Sequence, residues 1–332
     1  MADSSSRPRH HTVRGFRNNH TIDQHGGFDV LRWLPGFLLK PYRKPQFTVL
    51  RPPVERLRHN RTQDTLTWIG HASFLLQLGG RNLVTDPHLS ERASPLGFAG
   101  PQRLNPPSLH HADLPPLDLA LISHNHYDHL DEATVRRLAH EHPQLHFVVP
   151  LGLKRWFAQH RIERVIELDW WQSAEVAGLR VHAVPAQHFS GRNASDRNAT
   201  LWCGFVVEAQ DRRVYFAGDS GYSADFADIG ARFAPIDLAL LPIGAYEPRW
   251  FMQFMHVNPE DAVKIHRDIG SRQSVAMHWG TFRLTEEPLD EPPQRLRRAL
   301  DDAGISHDRF WVLQHGETRE LFGDAKPDSL QR

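Results

Sequence analysis

The chain is a succession of short apolar runs, and each run stops at a residue able to bind a metal. "TLTWIG" stops at His71, "LDLALIS" at His124, "LRVHAVPAQ" at His188, "RRVYFAG" at Asp219 and "QSVAM" at His278. Short runs rich in Val, Ile, Leu and aromatics read as buried strands. Helices are expected between them. Asp131 can cap "EATVRRLAHEH". Asn258 with Pro259 opens "EDAVKIHRDIG", which Gly270 closes, and "PPQRLRRALDDAG" starts on Pro and ends on Gly304. Strands mixed with helices predict an α/β layered domain over residues 61–332. Residues 1–60 show little periodicity and read as a partly irregular N-terminal arm that wraps the domain or touches a partner.

The densest chemistry is "LISHNHYDHLD", with three histidines and two aspartates within residues 124–131. Alternate residues of an extended segment point the same way. His124 and His126 can therefore share one ion, while Asp128 and His129, past the turn, can face a second. Four groups in six residues cannot close two four-coordinate sites. The missing ligands must come from other strand ends, where His188, Asp219 and His278 stand ready. A carboxylate such as Asp219 has two oxygens and can bridge two metals. A chance histidine-rich turn would not be matched by three more ligands at strand ends.

Composition narrows the function. Lys+Arg and Asp+Glu balance at 39 each, so no global field holds nucleic acid, whereas histidine is abundant at 23. His10-His11 reads as an incidental part of that excess. The one cysteine, Cys203, allows no intramolecular disulfide and fits a reducing compartment. The first 29 residues lack an apolar signal-like core, and no apolar run reaches 18 residues, so a cytoplasmic protein is expected.

"HNHYDH" with downstream His188, "GDSGY" and "AMHWGTF" resembles the metallo-β-lactamase superfamily. "TWIGHASFLLQ", "VTDPHLSERASP", "VIELDWW", "PIGAYEPRWFM" and "HVNPEDAV" extend the match. They resemble the N-acyl-phosphatidylethanolamine-hydrolysing phospholipase D branch over roughly residues 60–320. The resemblance implies an αββα sandwich of two facing mixed β-sheets flanked by helices. It implies two metals, zinc by ligand type, with iron or manganese able to substitute. One takes His124, His126 and His188; the other takes Asp128, His129 and His278; Asp219 bridges. It also places His256 in the active site. Gly97-Phe98 departs from the polar Gln-Tyr pair that the mammalian enzymes carry there. His71 is expected behind the metals as a hydrogen-bonded support, and Asp86 to orient a ligand histidine.

The implied activity is metal-dependent hydrolysis of a phospholipid diester to an N-acylethanolamine and phosphatidic acid. Asp128 would orient the attacking water, and His256 would give the leaving alkoxide its proton. A lactonase or phosphodiesterase on a soluble substrate is the alternative, and a non-catalytic lipid- or metal-binding protein a further one, because this fold serves many esters. A two-tailed lipid must be reached at a membrane surface. Residues 30–39, "VLRWLPGFLL", and 249–255, "RWFMQFM", can supply a peripheral contact on the inner membrane face. Pro35-Gly36 argues against a long helix in the first, so a short wedge is expected. Trp33, Phe37 and Trp250 would then share one exposed apolar face. A homodimer built on the same segment is compatible with this.

Overall fold

The computed structural model describes residues 8–20, 27–193 and 195–322. Two seven-stranded sheets face each other. The first is assembled from β1 (Thr65–Gly70), β2 (Ser73–Leu78), β3 (Arg81–Thr85), β4 (Leu119–Leu121), β5 (His146–Pro150) and β6 (Val165–Leu168). The second contains β7 (Ser173–Val176), β8 (Leu179–Val184), β9 (Gly204–Ala209), β10 (Arg212–Phe216), β11 (Leu238–Pro242), β12 (Ser274–Met277) and β13 (Phe310–Trp311); β14 (Thr318–Glu320) returns to the first. The orders are β14-β1-β2-β3-β4-β5-β6 and β13-β12-β11-β10-β9-β8-β7. Each sheet is thus antiparallel at its start and parallel at its end: β3 to β6 run parallel in one, β10 to β13 in the other. The apolar faces meet in one core that includes Trp68, Phe74, Trp202, Phe205, Tyr215 and Leu240. A second core, with Leu75, Val135, Phe147 and Phe157, lies under α3 (Glu132–Glu141) and α4 (Lys154–Gln159). This is the αββα sandwich expected from the sequence.

Local signals are mostly obeyed. Asn258 accepts from the Asp261 amide at 2.8 Å and Pro259 opens α7 (Pro259–Asp268). Gly304, at φ 65°, ends α8 (Glu291–Ala303) in the left-handed conformation. Asp131 holds the N-cap position of α3 but does not cap the backbone. Its carboxylate takes the Ser90 amide and the Thr134 hydroxyl instead, tying α3 to the loop after β3.

The arm departs from expectation. Gly27–Leu39 forms α1, a 13-residue helix with Pro35 inside it, where a short irregular wedge was expected. An internal proline costs about 3 kcal/mol, and the docking of one face offsets it. Trp33 stacks on Phe251 at 5.4 Å, and Arg283 donates to the Phe37 carbonyl at 2.8 Å while covering its ring. Trp33 and Phe37 therefore face inward and are half-buried, contrary to their assignment to an exposed face. The outward side carries Phe28, Leu31, Leu34, Leu38 and Leu39, between 37% and 81% exposed. Trp250 is 38% exposed, while Phe251, Met252 and Met255 are buried. A short α2 (Val54–His59) follows, and α5 (Asp225–Phe233) and α6 (Arg249–Met252) complete the helices named here. Among the described residues no helix is long and apolar enough to cross a membrane.

Candidate metal centre

The strand ends converge at one edge of the sandwich. The loop after β4 supplies His124, His126, Asp128 and His129; His71 follows β1 and His278 follows β12. Both His71 (φ 55°) and His278 (φ 61°) are left-handed, a strained backbone that turns the imidazole inward at the strand end. His188 and Asp219 arrive from the loops after β8 and β10. All but the partly exposed His126 and Asp128 are buried, with Asp128's side chain only 14% exposed.

Two groups of ligand atoms form, with Asp219 between them. In the first, His124 Nε2 lies 2.8 Å from His126 Nδ1, which lies 3.2 Å from His188 Nε2. In the second, His129 Nε2 and His278 Nε2 are 3.2 Å apart, each 3.4 Å from Asp128 Oδ2. Asp219 Oδ2 is 3.1 Å from His129 and 3.9 and 4.0 Å from His188 and His124, while Oδ1 is 3.1 Å from His278. The seven sequence-predicted ligands are thus all brought together.

The outer nitrogens decide what these inner ones are. His188 Nδ1 faces the Met255 carbonyl at 2.9 Å and must carry the hydrogen. His129 Nδ1 faces Asp86 Oδ2 at 2.6 Å and does likewise. Ser123 donates its hydroxyl to Asp86 at 2.5 Å and so accepts from His124 Nδ1 at 2.9 Å. A neutral imidazole has one N–H, so the Nε2 atoms of His124 and His188 are bare lone pairs aimed at His126 Nδ1, while His129 Nε2 faces His278 Nε2 between the two carboxylates. Asp219 Oδ1 and His278 Nδ1 are buried without a hydrogen-bond partner. Lone pairs and carboxylates packed this way could hold a metal ion, and imidazole and carboxylate are donors that suit zinc.

The electrostatics agree. Burial pushes His124 and His188 well below the usual imidazole range, and His126 down to about 4, so they stand neutral as ligands must. Burial opposes charge on His129 and His278 too, but Asp219 and Asp128 outweigh it. They hold His129 well above its usual range and His278 at about 9. The pocket thus attracts positive charge even against desolvation.

The supports lie where expected. His71 Nε2 meets Asp128 Oδ2 at 3.0 Å, and Asp86 orients His129. His256 Nδ1 lies 3.8 Å from Asp219 Oδ2, with its ring 5.1 Å from that of His188. Burial pushes it down to about 4. Sequence reasoning missed Arg192, whose guanidinium covers the Tyr127 ring at 3.9 Å and donates to the Asn125 and Leu130 carbonyls, closing the metal-binding loop. It also passed over Ser123, which sits just before the first loop histidine. Phe98, of the departing Gly97-Phe98 pair, is 82% exposed.

Residues 81–279 match the β-lactamase superfamily domain. The chain belongs to the metallo-β-lactamase superfamily of hydrolases. The N-acyl-phosphatidylethanolamine-hydrolyzing phospholipase D 1 of Caenorhabditis elegans is 43% identical over 262 residues, spanning 73% of this chain and 74% of the relative. A UPF0173 metal-dependent hydrolase of Methanopyrus kandleri is 31% identical over 77% of this chain and 99% of its own length. Among solved structures, the metallo hydrolase Igni18 of Ignicoccus hospitalis superposes with a TM-score of 0.59 at 22% identity, over 78% of this chain and 99% of its own, and supports the fold of this superfamily member.

Proposed function

We propose that this hydrolase is a di-zinc phosphodiesterase of phospholipase D type. It cleaves N-acyl-phosphatidylethanolamine to an N-acylethanolamine and phosphatidic acid. The observation that carries the reading is the double set of converging lone pairs with Asp219 between them. The substrate class is the one named for the nematode relative. His124, His126 and His188 would hold one ion, Asp128, His129 and His278 the other, and Asp219 both. When bound, the metal pair supplies Lewis acidity, lowering the pKa of a water and neutralising charge on phosphoryl oxygens.

The protein's own groups do the rest. Asp128, fixed by His71, accepts a hydrogen bond from the attacking water and orients it. The bond from phosphorus to the headgroup oxygen breaks. His256 stands closest to the role of protonating that oxygen, and burial pushes its imidazole down to about 4, so our reading gives it a hydrogen bond rather than a proton to donate. It donates a hydrogen bond to a phosphoryl or leaving oxygen, and the proton comes ultimately from solvent. Substrate arrives by way of the membrane. The exposed leucine face of α1 sits beside the centre, because Trp33 stacks on Phe251 and the same segment carries Met255, whose carbonyl holds His188. That face inserts at the headgroup boundary on the cytoplasmic side; pairing of two chains through α1 is the alternative use of it. Metal analysis of chelator-free protein should give two zinc ions per chain. Turnover on N-acyl-phosphatidylethanolamine vesicles should exceed that on soluble phosphodiesters and lactones. Faster lactone hydrolysis would redirect the reading to a soluble substrate.

A further inference from the structure

The third imidazole of the first metal group stands on a long connection. His188 lies in the long 185–203 connection between β8 and β9, whereas His124 and His126 directly follow β4. What fixes the His188 backbone comes from 170 residues away. The Asn18 side-chain amide donates to the His188 carbonyl at 2.9 Å and accepts from the His188 amide at 3.0 Å. That double bond pair is what a neighbouring strand would supply. Asn18 Oδ1 also accepts from Trp202 Nε1 at 3.1 Å, which locks the orientation of the amide.

The segment that carries Asn18 is latched at both ends. His10 and His11 meet the two oxygens of Asp169 at 2.6 and 2.8 Å. Asn19 donates to Asp225 Oδ1 at 2.8 Å, and His20 lies 3.5 Å from the same oxygen. Between the latches the chain turns back on itself, with the Arg17 amide on the His10 carbonyl at 2.8 Å and the Phe16 amide on the Asn198 carbonyl at 2.9 Å. At Gly15 a Cβ would meet the Asn198 oxygen at 2.0 Å, so the turn is seated directly on the 185–203 connection.

We infer that residues 8–20 form a strap that completes the metal centre, with Asn18 as the positioning residue for His188. This rests on His188 being a ligand, and it assigns residues 8–20 of the arm a role in metal affinity, separate from the lipid contact proposed for α1. An imidazole whose backbone can wander binds a metal with a larger entropic cost. Loss of a supporting partner of this kind weakens metal binding by about 10- to 100-fold.

The test uses the full chain loaded with zinc alone and follows zinc release to a chromogenic chelator. Asn18→Ala should release one of two zinc ions at a concentration of chelator about tenfold lower than wild type, with the second ion unchanged. Activity lost at limiting zinc should return with excess zinc. Asn18→Asp keeps the acceptor for the His188 amide and for Trp202 but sets a second acceptor oxygen against the His188 carbonyl, so it should release the ion at least as readily as Asn18→Ala; it carries the test if Asn18→Ala does not fold. A variant that is merely less stable would lower the melting temperature of the metal-free protein without separating the two ions. Release curves for both Asn18 variants that overlay wild type would overturn the strap. His188→Ala separates the two ideas: if it too keeps both ions, the ligand assignment itself is wrong.

Discussion

Two buried clusters in this molecule are made of the same side chains and do opposite things. At Asp169, two imidazoles meet one carboxylate, and each contact pairs a nitrogen with an oxygen that can accept its proton. Around Asp219, imidazole nitrogens crowd one another at 2.8 to 3.2 Å as well as facing the Asp219 oxygens. The first is closed: it can hold two pieces of chain together with nothing added. The second is open, a cluster of lone pairs and carboxylates that could hold a cation. Composition does not distinguish a latch from a metal centre; the direction of each N–H does.

The largest test is on the open cluster. Asp219→Ala removes the one group that reaches both sets of nitrogens. Activity should fall by well over 100-fold, since losing even an outer partner of a metal ligand costs up to about that much, and at least one metal should be lost. Mass spectrometry of the intact native protein reads the stoichiometry. Full metal content with normal turnover would place Asp219 outside the centre.

His256 touches the open cluster without closing it. His256→Ala should leave the metal content intact and reduce turnover by about 100-fold, the usual cost of one hydrogen-bond donor to a transition state. A neutral donor predicts similar losses on substrates with good and poor leaving groups. A much smaller loss with a nitrophenyl leaving group would restore the proton-donor role expected from the sequence. A smaller effect is expected from the face of α1: Leu31→Ser with Leu38→Ser should weaken vesicle binding by about tenfold, from the apolar area withdrawn from the bilayer. Hydrolysis of a short-chain soluble ester should be spared. Unchanged vesicle binding, with a change of oligomeric state, would assign that face to a second copy.

Much of the centre was legible because its ligands obey a local rule. A strand must end, and these strands end on an imidazole or a carboxylate, so His71, His124 and His278 could be read directly from where the apolar runs stop. The motif around His124 added its own period of two. What could not be read was whatever depends on a partner distant in sequence. His10-His11 looked incidental because Asp169 lies some 158 residues on. Asn18 carries no local pattern at all. The helix α1 was missed for a related reason: Pro35 and Gly36 are local signals against a helix, and the contacts that override them, from Phe251 and Arg283, are tertiary. Asp131 shows the same limit at a single residue: its place at the start of α3 is a local signal, whereas its preference for Ser90 and Thr134 depends on the folded loop after β3.

The closed cluster should respond to mutation and to acid more gently. His10→Ala with His11→Ala should cost about 1–3 kcal/mol per lost buried partner at most. It should expose residues 8–20 to proteolysis while two zinc ions still bind at saturating metal. A fall from three ions to two would instead reveal a third metal site and erase the contrast drawn above. Acid probes the same latch without mutation. Burial raises the Asp169 carboxyl, but hydrogen bonds from His10, His11 and the Trp170 amide outweigh it and hold the group below the usual carboxylate range. A folded-state pKa depressed in this way contributes stability above the unfolded value of about 4. That contribution is lost as pH falls through the lower, folded value. Amide exchange of residues 8–20 should therefore be slower in wild type than in Asp169→Asn at neutral pH, and the two should converge only below about pH 4. Convergence well above about pH 4 would mean that the Asp169 carboxylate does not set the latch. A difference that persists unchanged to pH 2 would mean that Asp169 is not its anion.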